Sequence, residues 1–574
     1  KYERSTVVIS PYVELNFSDD LKFKSQFNYT NYLFEGNVFS NLFTGTEQEQ
    51  IDGRSSQKER STTKSWNVFN TLSYKKTFNE VHNINTLIGQ EAFDNKYNFL
   101  RTTNTGFVFP ALDELDNGNG ATEARSYTEQ SRLFSLFGRL DYNYNEIYYF
   151  GASIRRDGSS RFVGDNRFGT FWSVAGAVSI ADQFFKDSDV VNNLKLRASY
   201  GTVGNQNLGS AGLFPTISEY GTGYNQLSTG GVFLTTLGNT NLKWEEHEKL
   251  NIGLDFGFLN NKINGSVEYY SNKVNDLIYF FSREPSVGSG GDGSADLAGW
   301  ENLGALTNEG FELTVNSTNI QTQDFRWTTS LSLSNNKSRI VTIPDPNVTG
   351  SFRWEDGRDR YEFYMREWAG VDPGTGAPLW YKEITDPTTG DVTGKETTSV
   401  YADATRIYTG KSALPDVEGR FASNFKYKNF DLGLNFNFKF GHYINNTDYA
   451  SLMKARNPGE QLSTGVLSAW QNPGDLTEVP KLTLGDDDFG SASTRWLQQG
   501  DFIRLRNVAL GYSLDDSMIK KFNLKGLRVY LSADNYWTWS KEDNLDDPEQ
   551  SFEGTTDNSS TILKTITLGL NLSF

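Results

Sequence analysis

The sequence contains no cysteine, which excludes a disulfide framework, thiolate metal sites and a cysteine nucleophile. Only three histidines are present, His82, His247 and His442, so the sequence offers few residues for a histidine-rich metal site or a catalytic triad. No apolar run reaches the roughly 18 residues of a membrane-spanning helix, and the mean hydropathy is −0.55. Across 574 residues, 71 acidic and 54 basic side chains give a net charge of −17. This acidic balance argues against a nucleic-acid partner.

What the sequence does contain is a regular alternation of apolar and polar residues. The last segment of the chain and three internal segments each place apolar side chains at every second position. One such segment carries Leu250, Ile252, Leu254, Phe256 and Phe258 on one face, with Asn251, Gly253, Asp255 and Gly257 on the other. A period of two residues predicts β-strands with one apolar face. The abundance of aromatic residues (14 %) and of glycine (53) also favours strands and turns over helices.

A soluble β-sandwich and a membrane β-barrel both alternate in this way, and the strand length favours the barrel. Five alternating apolar residues cover about nine positions, or roughly 30 Å along a strand. At a tilt of about 40° they span about 23 Å, close to the apolar band of roughly 25 Å in outer-membrane barrels. Tyrosine and tryptophan also cluster near the predicted strand ends, as expected of interfacial girdles.

The predicted strands are joined by alternately short and long connections, which is the pattern of outer-membrane barrels. We predict about 17 strands, near 9–17, 21–35, 62–77, 81–97, 130–143, 147–157, 168–181, 193–203, 244–258, 263–278, 305–319, 325–340, 419–428, 430–444, 501–514, 526–540 and 561–574. The predicted long loops lie near 36–61, 98–129, 204–243, 279–304, 341–418, 446–499 and 541–560. Because bacterial barrels have an even strand number, we expect this chain to be the C-terminal portion of a larger barrel domain, its first and last strands pairing with strands outside this sequence.

A series of motifs in one order along the chain is similar to the SusC-like TonB-linked outer-membrane transporters. The motifs include Ile154-Arg-Arg-Asp-Gly-Ser-Ser-Arg-Phe162, Asn166-Arg-Phe-Gly169, Asn241-Leu-Lys-Trp-Glu245, Asn302-Leu-Gly, Phe502-Ile-Arg-Leu-Arg506 and Asp547-Pro-Glu549. The C-terminal residues Thr567, Gly569, Leu572 and Phe574 also resemble the signal read by the barrel-assembly machinery. The similarity covers nearly the whole chain from about residue 130.

The resemblance implies an all-β, antiparallel transmembrane barrel of 22 strands with an internal plug, in the outer membrane of a Gram-negative, Bacteroidetes-type envelope. It further implies TonB-driven import of oligosaccharides or oligopeptides together with a SusD-like surface lipoprotein, with the C-terminus periplasmic and lipid around the barrel. We expect the plug and the TonB box to lie outside this chain, and we expect no enzymatic activity and no cofactor. The alternative is a SusC-like barrel that serves as a structural subunit of a larger assembly or secretion complex.

Four loop segments suggest binding chemistry. Gly288-Ser-Gly-Gly-Asp-Gly293 matches the dinucleotide fingerprint, but its antiparallel surroundings favour a plain external loop. Acidic runs at Asp486–Asp488 and Asp543–Glu549 could bind Ca²⁺, although without EF-hand spacing a solvated loop is favoured. His247, among glutamates, is interpreted as a rim residue rather than a catalyst.

The fourth segment, Phe352–Trp368, is rich in aromatic residues and in charges of both signs. Aromatic faces stack on sugar rings, and arginine and aspartate supply paired hydrogen bonds. Self-packing of the loop or docking of the lid protein is the competing interpretation. The predicted substrate or lid-contact residues are Arg353, Trp354, Asp356, Arg358, Tyr361, Tyr364 and Trp368.

Overall fold

A computed structural model gives the fold, and its described residues form two compact units. Unit 1 contains residues 1–178, 198–249 and 274–304, and unit 2 contains residues 179–197, 250–273 and 305–574. Among the described residues, no helix combines the length and the apolarity needed to cross a membrane. The structure describes residues 1–42, 46–120, 122–208, 214–222, 229–282, 298–454, 459–485, 488–515, 519, 524–545, 547–549, 552–557 and 561–574.

Unit 1 is built on an antiparallel meander in which each strand pairs with the next along the chain. Its first two strands pair with successive parts of the third and are separated by Ser10 and Pro11, because proline cannot donate to a ladder. Tight turns at Asn79–Glu80 and Asn145–Glu146 have positive φ angles at both residues, as the twist of a two-residue hairpin requires. The strands are Tyr2–Ile9, Tyr12–Asn16, Leu21–Ser40, Ser55–Phe78, His82–Thr105, Glu123–Tyr144, Tyr148–Ser159 and Phe168–Ser179.

The apolar core of unit 1 brings together motifs that are distant in sequence. Phe162 packs against Trp244, with their ring centroids 5.4 Å apart, and both side chains are buried. The Trp244 indole N–H donates to the carbonyl of Arg167 (3.0 Å), and Asn302 bonds both backbone groups of Lys243. Four of the motifs that carry the family resemblance therefore form one packed structure.

Three further long strands and two short hairpins complete the strands before residue 305. The long strands are Val191–Asn205, Glu245–Phe258 and Ile263–Asn275. The hairpins pair Glu219–Thr222 with Val232–Thr236, and Ile278–Ser282 with Ala298–Asn302. The α-helices are short, at Glu47–Gly53, Ile180–Phe184 and Thr447–Leu452.

Unit 2 contains a second antiparallel meander, again with each strand paired to the next. Its two faces differ in chemistry because residues directly opposite in an antiparallel pair share a face. One row across five strands is apolar, Val315–Leu331–Phe421–Phe436–Leu505, and a neighbouring row on the other face is Thr314–Ser332–Arg420–Asn437–Arg504. The strands are Ala305–Gln321, Phe325–Thr342, Val417–Tyr427, Phe430–Phe440, Phe502–Ser513, Gly526–Ser540 and Thr565–Ser573.

The long connections of unit 2 are themselves folded. One buried cluster contains Met453, Phe489 and Trp496, and a second contains Phe352, Phe363 and Leu497. The short strands of these connections are Asn347–Thr349, Phe352–Trp354, Glu362–Arg366, Trp368–Val371, Pro378–Thr385, Val392–Thr398, Arg406–Ser412, Tyr443–Asn445 and Leu497–Gln499. Single 3₁₀ turns lie at Leu115–Asn117, Gly164–Arg167, Tyr401–Asp403, Thr464–Ser468 and Thr494–Trp496.

Each predicted strand overlaps a strand of the structure, and the all-β antiparallel fold is confirmed. The structure differs at the long-loop ends of unit 1, where strands occupy residues 36–40, 55–61, 98–105 and 123–129 that were predicted to be loop. The ladder continues there through Ser, Thr, Lys and Glu residues, which carry no apolar period for a sequence pattern to detect. The predicted Gly288–Gly293 loop lies outside the described residues.

Candidate functional site

The polar face of unit 2 carries a cleft of about 560 Å³. Its wall is a row of directly opposed residues, Glu312, Ser334, Glu418 and Lys439, on four successive strands. The next row contributes Thr314, Ser332, Arg420 and Asn437, and Phe502 and Glu549 also line the cleft. Most of the lining side chains form hydrogen bonds or carry charge, alongside the apolar Leu313, Leu333 and Phe438, which suits a predominantly polar ligand.

A buried ion-pair cluster fixes the loop beside this cleft. The guanidinium of Arg504 donates to Asp547 Oδ1 at 2.7 Å and to the carboxylate of Glu549, and its Nε–H donates to Thr538 Oγ1 at 3.0 Å. The side chains of Arg504 and Asp547 are only 5 % and 3 % exposed. The sequence interpretation of Asp543–Glu549 as a solvated loop is thus wrong at Asp547 and Glu549, because both carboxylates bind arginine.

A similar cluster surrounds Arg197 on the strand Val191–Asn205. Arg197 donates to Asn251 Oδ1 at 3.0 Å, lies 3.3 Å from Asp255 Oδ2, and pairs with Glu268. Asn251 and Asp255 therefore share a polar face, as the alternation predicted, whereas Ile252 on the other face is 43 % exposed.

The predicted loop residues Arg353, Arg358 and Tyr364 come together around Tyr408. The Arg358 guanidinium lies 4.1 Å from the ring centroid of Tyr408, and the ring of Tyr364 lies 4.9 Å from the same ring. Arg353 donates to the Tyr364 hydroxyl at 3.0 Å. Burial and a hydrogen bond to Glu355 raise the pKa of Tyr408, so its hydroxyl stays protonated and donates.

Trp354 and Tyr361 form a second group, in which one guanidinium contacts both rings. Arg360 lies 4.9 Å from the Trp354 ring and 5.2 Å from the Tyr361 ring. Asp356 is exposed, and its carboxylate accepts a hydrogen bond from the backbone N–H of Ile343 at 2.8 Å. Neighbouring Asp359 is half-buried, and burial raises its pKa.

Trp368 lies apart from these groups, in an apolar cluster. Its ring centroid is 5.7 Å from that of Trp380 and 5.5 Å from that of Phe489, and Arg495 lies 5.2 Å from it. Glu478 accepts from Arg495 at 3.1 Å, closing the cluster on its exposed side. The structure therefore brings five of the seven predicted residues into two groups, bonds Asp356 to the backbone of Ile343, and packs Trp368 within the loop.

His442 follows the strand Phe430–Phe440 and is almost fully buried (4 % exposed). Burial, with Lys439 nearby, lowers the pKa of His442 to about 4, so the ring is neutral at physiological pH.

Three of the predicted barrel-assembly residues lie on the last strand, Phe574 follows it directly, and the four divide between its two faces. Leu572 and Phe574 are exposed (44 % and 78 %) on the face that also carries Ile566, Leu568 and Leu570. Gly569 lies directly opposite Tyr530, whose ring covers it so closely that a Cβ at 569 would meet Tyr530 Cζ at 2.1 Å. Among the described residues, Thr565–Ser573 pairs only with Gly526–Ser540.

Comparison with known proteins then shows the family. A family model described as "TonB dependent receptor-like, beta-barrel" matches residues 2–535. The chain belongs to the TonB-dependent receptor family. TonB-dependent receptor P3 of Formosa agariphila is 29 % identical over 604 residues, covering 98 % of this chain and 57 % of its own length. TonB-dependent receptor SusC of Bacteroides thetaiotaomicron is 30 % identical over 476 residues, covering 79 % of this chain and 45 % of its own.

A solved structure is also similar to this chain. The RagAB peptide transporter superimposes with a TM-score of 0.86 at 26 % identity, covering 100 % of this chain and 62 % of that chain. The SusC-like resemblance is thereby confirmed, and the two antiparallel meanders are parts of a TonB-dependent receptor barrel, a class of outer-membrane proteins. The chain spans about half the length of the curated relatives it matches.

Proposed function

We propose that this chain is the barrel portion of a SusC-like, TonB-dependent outer-membrane importer of oligosaccharides or oligopeptides. The observation that carries the proposal is the polar wall of unit 2, with its cleft of about 560 Å³, in a chain of the TonB-dependent receptor family. A barrel that places charged and hydroxyl side chains on one face and apolar rows on the other has a wet lumen and a lipid-facing exterior. The similarity to a peptide transporter supports a nutrient oligomer as cargo.

Partners follow from the same proposal. A SusD-like surface lipoprotein covers the long-loop end, where Asp356 and Arg358 are exposed on the predicted contact segment. TonB acts through a plug region outside this chain, and the barrel-assembly machinery reads Thr567, Gly569, Leu572 and Phe574. The C-terminus is then periplasmic, and lipid contacts the exposed apolar row that ends at Phe574.

Uptake by the full-length gene product in its own cells tests the proposal. Ligands that co-purify with the protein are identified by mass spectrometry, and uptake of each is measured in cells with and without functional TonB. The proposal expects uptake that needs both the gene and TonB. Stable membrane complexes with TonB-independent phenotypes would instead show a structural subunit of a larger assembly.

A further inference from the structure

The exterior of unit 1 is identified by its exposed apolar rows. Residues directly opposite in an antiparallel pair share a face, and one such row is Leu72–Ile88–Gly138–Ile154–Trp172. Ile88 in this row is 61 % exposed, whereas on the other face Arg155 binds Glu91 at 2.8 Å and Asp157 at 2.6 Å. A membrane barrel turns apolar residues outward and polar residues inward, so the Ile88 row faces lipid.

Aromatic rows bracket this lipid-facing surface at two heights. The row on the short-turn side contains Phe78–His82–Tyr144–Tyr148, and the row on the long-loop side contains Tyr29–Trp66–Asp94. His82 and Asp94 lie twelve residues apart on one strand, which is about 41 Å of strand and about 31 Å of height at a tilt near 40°. The two rows therefore have the spacing of aromatic girdles on either side of an apolar band of roughly 25 Å.

Two lysines lie directly opposite each other in the next row beyond Trp66. Lys64 faces Lys96 across the strand pair, and both side chains are exposed. Like charges in this position destabilise the pair, because their Cβ atoms are about 4.5–5.5 Å apart. The row is flanked by Asn31 and Gln130 on strands of this chain, and an internal plug would lie against the other face. The lysine row stands about 5 Å of height beyond the girdle, which is the depth of lipid headgroups.

Other charges near the lysine pair are arranged in pairs of opposite sign. Asp94, only 7 % exposed, accepts from Arg132 at 2.6 Å and from Gln130 at 2.8 Å, so its charge is already bound. Two rows beyond the lysines, Arg60 lies 3.3 Å from Glu35. A pair of the same sign at headgroup height, in a chain of net charge −17, suits an anion that is anchored at that height.

We propose that Lys64 and Lys96 bind a phosphate group of the phosphorylated glycolipid in the outer leaflet, with Trp66 against its acyl chains. The inference rests on the proposed orientation of the barrel, with the long-loop end outside, and is independent of the cargo. An ammonium group binds a phosphate oxygen by a charge-assisted hydrogen bond. Lysine stems also lie along apolar surface while their charges stay in the headgroup layer. A soluble anion would meet the two charges but would make no contact with the Trp66 row.

The test uses the full-length gene product, purified in detergent and freed of native lipid, with binding measured by native mass spectrometry. The probes are bisphosphorylated lipid A, the same lipid after removal of its phosphates, and inorganic phosphate as a competitor. The unmodified protein should bind the phosphorylated lipid on the order of tenfold more tightly than the dephosphorylated lipid. Lys64→Gln with Lys96→Gln should abolish this preference, whereas Lys64→Arg with Lys96→Arg should keep it. An excess of inorganic phosphate should not displace the lipid.

The charge-matched control is Lys75→Gln with Lys76→Gln, which removes two positive charges from the short-turn end of the strand that carries Lys64. It should leave the lipid preference unchanged, and heat-modifiable migration checks that each variant is folded. Loss of the preference in this control would place the lipid at the other end of the strand and contradict both the inference and the orientation. Equal binding of the two lipids by the unmodified protein, displacement by free phosphate, or an acidic protein that binds Lys64 and Lys96 in place of the lipid would overturn the inference. TonB-dependent uptake, measured separately, decides the importer proposal.

Discussion

Replacing Arg504 with methionine should release the loop that contains Asp547 and Glu549. Methionine keeps much of the side-chain volume but removes the cation, leaving two carboxylates beside a site where Arg504 is only 5 % exposed. Breaking a buried ion pair by removing one partner typically costs about 3–5 kcal/mol, because the remaining charge stays buried and unpaired.

The structure places the expected cost at the lower end of that range. Asp547 keeps backbone N–H donors from Glu549 at 2.9 Å and Ile562 at 3.2 Å, and Glu549 keeps Arg506 at 3.4 Å. We therefore expect a loss of about 3 kcal/mol, confined mainly to the loop, which corresponds to roughly 150-fold faster hydrogen exchange at its protected amides.

Hydrogen exchange by mass spectrometry on the full-length protein in detergent measures this directly, with limited proteolysis of the loop as a second readout. Arg506→Met is the matched control, since the Arg506 side chain is 43 % exposed and its pair should contribute less than about 1 kcal/mol. Combining Arg504→Met with Asp547→Asn and Glu549→Gln should recover part of the loss. Equal exchange in the Arg504 and Arg506 variants would refute the assignment of Arg504 as the residue that fixes the loop.

Three further predictions concern acid sensitivity, the lipid-facing side and assembly. The pKa of His442 is about 4 in the folded protein and about 6.5 in the unfolded chain, so the stabilising contribution of the neutral ring is present above pH 6.5 and is lost as the pH falls toward 4. In urea unfolding, the free energy of unfolding should be about 2 kcal/mol lower at pH 5 for this reason. The variant His442→Phe should not show this decrease. Leu434→Arg should cost about 2–4 kcal/mol in a lipid folding titration if residue 434 lies near the bilayer midplane, because Leu434 shares its face with Phe436, whereas Asn435→Arg on the polar face should cost less. Deleting Phe574, which is 78 % exposed at the end of an apolar row, should reduce the amount of heat-modifiable, membrane-inserted protein without changing ligand affinity.

For each of these three predictions, one specific result would contradict it. An unchanged pH dependence in His442→Phe would mean that other groups dominate acid unfolding. Equal costs for arginine at 434 and 435 would contradict the assignment of the two faces. Normal levels of inserted protein after deletion of Phe574 would separate that residue from the assembly signal.

The strands could be predicted because apolar and polar residues alternate along them with a fixed period of two. Leu432, Leu434 and Phe436 alternate with Gly433 and Asn435, and the structure pairs them in a regular ladder with the strand Val417–Tyr427. The Arg504 cluster was not predictable, although both Phe502–Arg506 and Asp547–Glu549 stood out as family motifs, because 43 residues separate Arg504 from Asp547 and no periodicity links a strand to a loop. Composition marked Trp368 as a contact residue, with self-packing of the loop as the competing interpretation, and the tertiary structure packs its ring against Trp380 and Phe489.

The length of the strands in unit 1 determines which part of the protein external molecules contact on a cell. Ser55–Phe78 and His82–Thr105 have 24 residues each, which is about 80 Å of strand and about 60 Å of height at a tilt near 40°. An apolar band of roughly 25 Å accounts for less than half of that height. Since the tight turn at Asn79–Glu80 joins their other ends, the excess projects on the long-loop side as a rigid wall. In the proposed orientation, antibodies, bacteriophages and secreted proteases would meet paired backbone here rather than loose loops, so this rim should resist cleavage while still offering a fixed epitope.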